Sequence, residues 1–225
     1  MKTATEASGD KAKAKSTGGM IEIRAPNYAV VSFNIIGTSP FVSNKFADEA
    51  RDQMRAQMAA GSSSKLKKRG GERAGKDFDA SYHGSMHKSD DGWYGIPSTA
   101  FKAAMVRAAS QVGVSMIMLK QVLFIEADGF GDKGVTPLIR FTKGVPAPFD
   151  AYVKLKNGST DIKRRGRWEP GWTCELRVRY DADLMTPTTI ANLVLRAGLS
   201  VGVGAGRPCS TTSVGMGWGT FTIAE

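Results

Sequence analysis

Arg207 stands inside a glycine-rich stretch, Val201 to Phe221, with Gly202, Gly204 and Gly206 before it and Gly215, Gly217 and Gly219 after it. Glycines at such spacing mark backbone that takes unusual dihedrals or must approach something closely. Exposed amides there, those of Gly204 and Gly206 among them, suit phosphate oxygens together with a guanidinium, because amide nests and arginine forks both complement anions. The same glycines would also serve a plainer end, letting a long connection turn and dock under a sheet. The stretch holds no G-x-x-x-x-G-K-[ST] and lacks the strand–loop–helix order of a dinucleotide fold, so neither nucleotide template applies.

Cations form a second group. Lys45, Arg51 and Arg55 project away from the apolar stripe of an expected helix, as candidate phosphate contacts. Lys65 to Arg73, which holds Lys67, Lys68 and Arg69, is too polar for a core and reads as a loop that either wraps phosphates or is simply solvated. Lys102 and Arg107 lie on the less apolar side of a second helix. Lys163-Arg-Arg-Gly-Arg-Trp168 sets Arg164, Arg165 and Arg167 beside Trp168. Arginines next to tryptophan suit phosphate contact and stacking on a base. The plainer alternative has Trp168 covering a sheet edge and the arginines in water.

His83 and His87, the two histidines of the chain, lie near Tyr82, Asp79, Asp90 and Asp91. Their spacing would suit a metal on a helix, but Gly84, Ser85 and the Asp90-Asp-Gly92 turn oppose a regular helix, and no Glu-x-x-His or cysteine pair completes a ligand set. No metal and no cofactor is expected. One histidine acting as general acid or base beside Tyr82 would make a metal-independent ribonuclease.

The whole chain agrees with a polyanionic partner. Lys plus Arg number 31 against 21 Asp plus Glu, a formal charge of +10 over 225 residues. Such an excess favours binding through phosphate neutralisation and counterion release. No apolar run is long enough to span a bilayer, and no signal-peptide core is seen, so a cytoplasmic protein without membrane contact is expected. Cys174 and Cys209 lack metal spacing and read as free thiols of a reducing compartment.

The elements that must carry these groups can be read in order. Residues 1–19 are nearly free of apolar side chains and read as a flexible basic tail. Tyr28 to Ile36 is β-branched and aromatic, a buried strand. Phe46, Ala50, Met54 and Met58 stripe a helix, and Gly61-Ser-Ser-Ser64 stops it. Pro97 and Ser98 open a helix whose buried stripe is Phe101, Ala104, Met105 and Ala108. Gln121 to Glu126 is a strand. Thr136 to Thr142 and Asp150 to Lys156 read as two strands of one inserted ribbon. Gly171 to Tyr180 alternates as a half-buried strand with a basic outer face. Pro187 to Ala197 is a helix capped by Thr186, and Gly198 ends it. A last strand runs through residues 219–223. The order β-α-β-β-α-β predicts an α+β fold, a ferredoxin-like, RRM-like palm over residues 20–225. Its insertions, at about 41–95 after strand 1 and about 128–170 after strand 2, both carry basic clusters.

Ile96-Pro-Ser-Thr-Ala-Phe-Lys-Ala-Ala-Met-Val-Arg107 resembles the helix opening of the RAMP superfamily, where Ile-Pro-Gly/Ser-Ser-x-Lys-x-x-Leu-Arg is common. Gly202-Val-Gly204 and Gly215-Met-Gly-Trp-Gly219 resemble the two halves of that superfamily's C-terminal glycine-rich loop. The likeness spans about residues 20–225 and is strongest to the Cas7-type backbone subunit of CRISPR effector complexes. It implies an RRM-like palm, a protruding thumb, and subunits that polymerise along a guide RNA with other effector subunits. The chain departs from the pattern at Thr99, where the family often has a second serine, and in its small size for a backbone subunit. No catalytic aspartate aligns; Asp48, after strand 1, is the nearest candidate were target cleavage to exist. A stand-alone viral or plasmid-borne relative fits the same residues.

The expected function is non-catalytic binding of RNA, or of single-stranded DNA, by subunits assembled side by side into a filament. The rivals are the ribonuclease built on His83, His87 and Tyr82, and a coating or decoy protein.

Overall fold

The computed structural model describes residues 25–46, 48–59, 75–154, 158–210 and 215–224. The expected basic tail and the Lys65–Arg73 loop, with Lys67, Lys68 and Arg69, lie outside the described residues.

The chain is mixed α+β, with antiparallel strand pairs in two sheets. The first sheet is built on β1 (Tyr28–Gly37), which pairs along its length with β9 (Thr173–Asp181) and, at Ile35 to Gly37, with β10 (Phe221–Ile223). The other edge of β9 is shared. Its Arg177–Tyr180 end takes β4 (Leu123–Glu126), and its Thr173–Cys174 end takes β6 (Thr136–Lys143). The sheet continues through β6 to β3 (Gly95–Pro97) and β5 (Gly129–Gly131). The second sheet has the order β2 (Phe41–Val42), β8 (Thr160–Trp168), β7 (Ala147–Lys154).

Period-two alternation puts Cys174, Leu176, Val178 and Tyr180 of β9 on the buried face of the first sheet. Against that layer lies α3 (Ser98–Ser110), whose Phe101, Ala104, Met105 and Ala108 are all buried, as the spacing of the sequence predicts. Pro97 itself occupies the N-cap position, and no side chain caps the helix. Beside it α5 (Pro187–Arg196) buries Ile190, Leu193 and Val194. The expected cap is present, with Thr186 Oγ1 accepting from the Thr189 amide at 3.2 Å. Helix α5 runs on into a π-helical turn, Ala197–Val201, so Gly198 sits inside that turn and does not end the helix.

An aromatic cluster joins the two sheets. Trp168 of β8 stacks on Phe141 of β6, with ring centroids 4.6 Å apart, and Phe41 of β2 meets Trp168 at 5.5 Å and Trp172 at 5.8 Å. Such pairs add about 0.5–1.5 kcal/mol each beyond the area they bury. Trp172 also donates from Nε1 to the Ser39 carbonyl at 3.0 Å, which pins the loop between β1 and β2.

The sequence-based expectation fails in three further places. The strands at 136–143 and 147–154 do not form one ribbon, because β6 belongs to the first sheet while β7 pairs with β8 in the second. Residues 121 and 122 close a short helix, α4 (Met116–Val122), whose N-cap Ser115 accepts from the Met118 amide. The histidine segment does contain a helix, α2 (Phe78–Gly84), capped by Asp77 through the amides of Asp79 and Ala80. Helix α1 (Asp48–Ala59) forms where its Phe46–Met58 stripe is read, but Phe46, Met54 and Met58 are exposed, at 56%, 46% and 74%. Among the described residues that stripe covers no core.

Candidate nucleic-acid interface

The glycine-rich stretch folds back against the chain's own backbone. The Ala205 amide donates to Val42 O at 2.9 Å and the Gly219 amide to Pro40 O at 2.7 Å, while Val203 donates to Gly219 O. The contact is close enough to require glycine. A Cβ on Gly219, whose φ is +69°, would stand 1.7 Å from Val203 O, and one on Gly204 would stand 2.6 Å from the Phe41 ring. Docking thus consumes several of the amides that sequence reasoning offers to phosphate. Those of Gly202, Val203, Ala205, Met216, Trp218 and Gly219 all donate to carbonyls. Among the described residues the Gly204 and Gly206 amides make no such bond, and both residues are half-buried.

A series of adjoining pockets runs past this loop. The first, of about 350 Å³, lies between α3 and α4 and is walled by Lys102, Val106, Arg107, Met116 and Lys120. Ala103 and Arg107 are shared with the second, of about 280 Å³, where Arg207 and the glycine loop face α3. Ala100, Gly204 and Arg207 are shared in turn with a third, of about 180 Å³, which Ser43, Asn44 and His87 also line. Asn44 then leads to a fourth, of about 350 Å³, bounded by Lys45, Ser81, Lys163 and Arg165. The series forms one groove between α3, the glycine loop and the second sheet.

Its cations differ in what they already touch. Arg107, Arg165 and Arg207 have no carboxylate partner among the described residues; Arg207 only donates to Gly204 O, at 3.2 Å. Arg165 is half-buried, and burial alone pulls its pKa down. A desolvated guanidinium without a counter-charge is costly, and an anion relieves that cost. Lys102 donates to Lys120 O at 2.9 Å and lies 4.7 Å above the Phe124 ring, and its own burial lowers its pKa.

Other expected contacts are committed elsewhere. Lys45 binds Asp132 at 2.6 Å, with both side chains largely buried, and Thr136 donates to the other oxygen of Asp132 at 2.7 Å. Its charge is neutralised inside the protein and is not free for phosphate. Pleat alternation splits the basic cluster of β8. Arg164 turns from Lys163 and Arg165 to a two-bond fork on Asp150, at 2.8 and 3.0 Å, and Arg167 pairs with Glu169 and lies over Phe149. Trp168 is 1% exposed, so it builds the core and cannot stack on a base, in line with the plainer of the two sequence readings. Arg51 and Arg55 are exposed on α1, Arg51 within 4.0 Å of Asp52, and do not line the groove.

The histidines separate as well. His83 is exposed on α2, edge-on to Tyr82 at 4.9 Å, while His87 lies beyond the helix and lines the third pocket. Helical i, i+4 ligand spacing therefore does not apply. The Tyr82 hydroxyl is engaged, donating to Pro146 O at 3.0 Å. His87 is shifted down to about 4, first by burial and then by the charge of Lys45, against a smaller opposing pull from Asp132. A base so weak is poorly matched to proton transfer near neutrality. Asp48 is the first residue of α1.

Sequence reasoning passes over Lys120, Ser43 and Asn44 as site residues. A single lysine inside the apolar run Met116–Val122 is the one signal that points to the first of these.

No family model matches the chain, and no curated protein does. Among solved structures it is similar to the crystal structure of Thermofilum pendens Csc2, at 10% identity and a TM-score of 0.31 over 88% of this chain. The match spans 66% of the length of that protein's chain. Among the described residues no helix is long and apolar enough to cross a membrane.

Proposed function

We propose that this chain binds single-stranded nucleic acid, RNA foremost, along the groove beside its glycine loop and does not cut it. One observation carries the reading. Arg107, Arg165 and Arg207, from three separate elements, line successive pockets of the groove without carboxylate partners among the described residues, whereas Arg164, Arg167 and Arg177 are paired with carboxylates and Arg140 and Arg179 lie over rings. Phosphates are the counter-charges such a row lacks, and they recur along a strand as the cations recur along the groove. The half-buried amides of Gly204 and Gly206 add donors beside Arg207.

The palm reading is supported by neighbour order. With β6, β3 and β5 set aside as additions, β10, β1, β9 and β4 lie side by side and antiparallel, with α3 and α5 on one face. A ferredoxin-like βαββαβ unit would have its strands and helices in that order, which supports the reading. Residues 20–225 then form one domain whose excursions supply the second sheet. In keeping with the RAMP-like motifs at Ile96–Arg107 and in the glycine loop, copies assemble side by side on one strand as a Cas7-type backbone subunit does. Repetition on a polyanion multiplies weak contacts through effective concentration.

The test is a length series of single-stranded RNA titrated at several salt concentrations, with the purified protein imaged after binding. Affinity that climbs cooperatively with length and falls steeply with salt is expected, with filaments on the longer strands. Protein that purifies bare and binds no strand would refute the proposal. Defined RNA products formed in EDTA and lost in a His83→Ala, His87→Ala double variant would replace it with the ribonuclease.

A further inference from the structure

The smallest pocket of the groove is built unlike its neighbours. At about 180 Å³ it lies between the Arg107–Arg207 pocket and the Arg165 pocket, lined by Ser43, Asn44, His87 and Gly204, with Arg207 shared from the neighbouring pocket. Ser43 Oγ and His87 Nδ1 are buried there without a hydrogen-bond partner among the described residues, and Ser43 is 1% exposed. Buried polar atoms nearly always find partners, and one that does not carries its full desolvation penalty. Two of them lining one small cavity, midway along a groove, form a hydrogen-bonding set that a ligand would complete.

We propose that this cavity takes the ribose 2′-hydroxyl of the bound strand, with Ser43 and His87 as its partners, and so makes the groove prefer RNA to DNA. The proposal rests on the strand-binding reading above and adds what that reading leaves open, the choice of sugar.

The chemistry favours a hydroxyl over a phosphate. Lys45 and Asp132, the charged groups that act on His87, neutralise each other at 2.6 Å. Burial keeps the imidazole itself unprotonated at neutral pH, so one ring nitrogen accepts while the other can donate. Serine and a neutral imidazole therefore present both donor and acceptor, which is what a hydroxyl answers with. A phosphate calls for cations, and these are Arg207, which the cavity shares with one neighbouring pocket, and Arg165 in the other. A neutral Ser43 and His87 pair between two arginines matches sugar between phosphates.

The experiment compares uridine oligomers of one length carrying ribose, deoxyribose or 2′-O-methyl ribose, by fluorescence anisotropy at fixed salt. The wild type, Ser43→Ala and His87→Leu are each titrated. The wild type should prefer RNA by about tenfold, the 2′-O-methyl strand binding like DNA. Both variants should bring the RNA-to-DNA ratio close to one with DNA affinity unchanged. Ser43→Ala removes an unpaired buried hydroxyl, so its melting temperature should hold or rise, which separates lost preference from lost fold. Equal affinity of the wild type for RNA and DNA, or a preference that survives both variants, overturns the inference and leaves strand binding standing. So does proton uptake on binding, seen as a buffer-dependent enthalpy, because it marks an anion drawn against His87. Failure to bind any of the strands removes the strand-binding reading, and this inference with it.

Discussion

The exposed face of the first sheet and the groove both carry arginines, and the two sets differ in what they already touch. On the sheet face Arg177 binds Asp128 at 2.7 Å and lies 3.8 Å from Glu126 and 3.9 Å from Glu175, so three carboxylates surround one guanidinium. Its neighbour Arg179 lies over the rings of Phe124 and Tyr28, at 5.1 and 5.7 Å. In the groove Arg107, Arg165 and Arg207 have no such company. On the face that alternation marks as basic in the sequence, Arg177 already has three carboxylates about it and Arg179 two rings. Partners, more than the number of arginines, decide where a polyanion binds.

The largest test of that contrast removes the groove's unpaired charges together. A variant carrying Arg107→Ala, Arg165→Met and Arg207→Ala should lose about a thousandfold in RNA affinity, at about tenfold per charge-assisted contact. The slope of log affinity against log salt should shrink by about 2, at about 0.7 per phosphate on a single strand. Anisotropy titrations across salt read both. Retained affinity with an unchanged slope would place the strand elsewhere and collapse the comparison.

A second test concerns the neutral stretch of the groove. His87 titrates at about 4 in the folded chain, below the ordinary histidine value of about 6.5. Between those values the unfolded chain holds a proton that the folded chain refuses. Stability is therefore complete above the unfolded value and drains as pH falls from about 6.5 toward 4, by on the order of 3 kcal/mol. Urea melts at a series of pH values should show that limb in the wild type and lose it in His87→Leu. Asp132 adds a separate limb at lower pH. Burial alone would raise it, but hydrogen bonds from Lys45 and Thr136 and the Lys45 charge hold it below the usual carboxylate range. Its contribution is present above the unfolded aspartate value of about 3.9 and is lost as pH falls through the lower folded one. A His87→Leu profile identical to the wild type would mean that the imidazole is not held neutral.

What could be read from the sequence was what is local. The α3 stripe, the alternation of β9 and the Thr186 cap each follow from spacing within one element, and each has the burial or bond expected. Partnership between distant elements could not be read that way. Nothing in Thr136–Thr142 or Asp150–Lys156 says that the two strands join different sheets, because register depends on partners far along the chain. The site residues divide by the same rule. Arg107 and Arg207 were marked by helix face and by loop, and the groove unites them. Trp168 and Lys45 cannot be placed from their neighbours in sequence, which do not show that Phe141 waits for one ring and Asp132 for one ammonium. Ser43 left no signal, since an unpaired hydroxyl is defined only by what surrounds it.

The smallest expected effect is also the sharpest control. Arg177→Ala and Arg179→Ala, made singly, should each change RNA affinity by less than about twofold, because neither guanidinium is offered to solvent anions in the way the groove's are. The two should still differ in direction. Losing Arg177 leaves Glu126, Asp128 and Glu175 facing one another, so the face becomes more negative and a long strand that strays near it binds slightly more weakly. Losing Arg179 removes a cation held over Phe124 and Tyr28 and strips stacking from an exposed patch, at about 0.5–1 kcal/mol of stability with little change in binding. Paired titrations and thermal melts on the two variants separate these outcomes. A loss near tenfold on Arg179→Ala would make the sheet face a second track for the strand, and the groove would no longer stand alone.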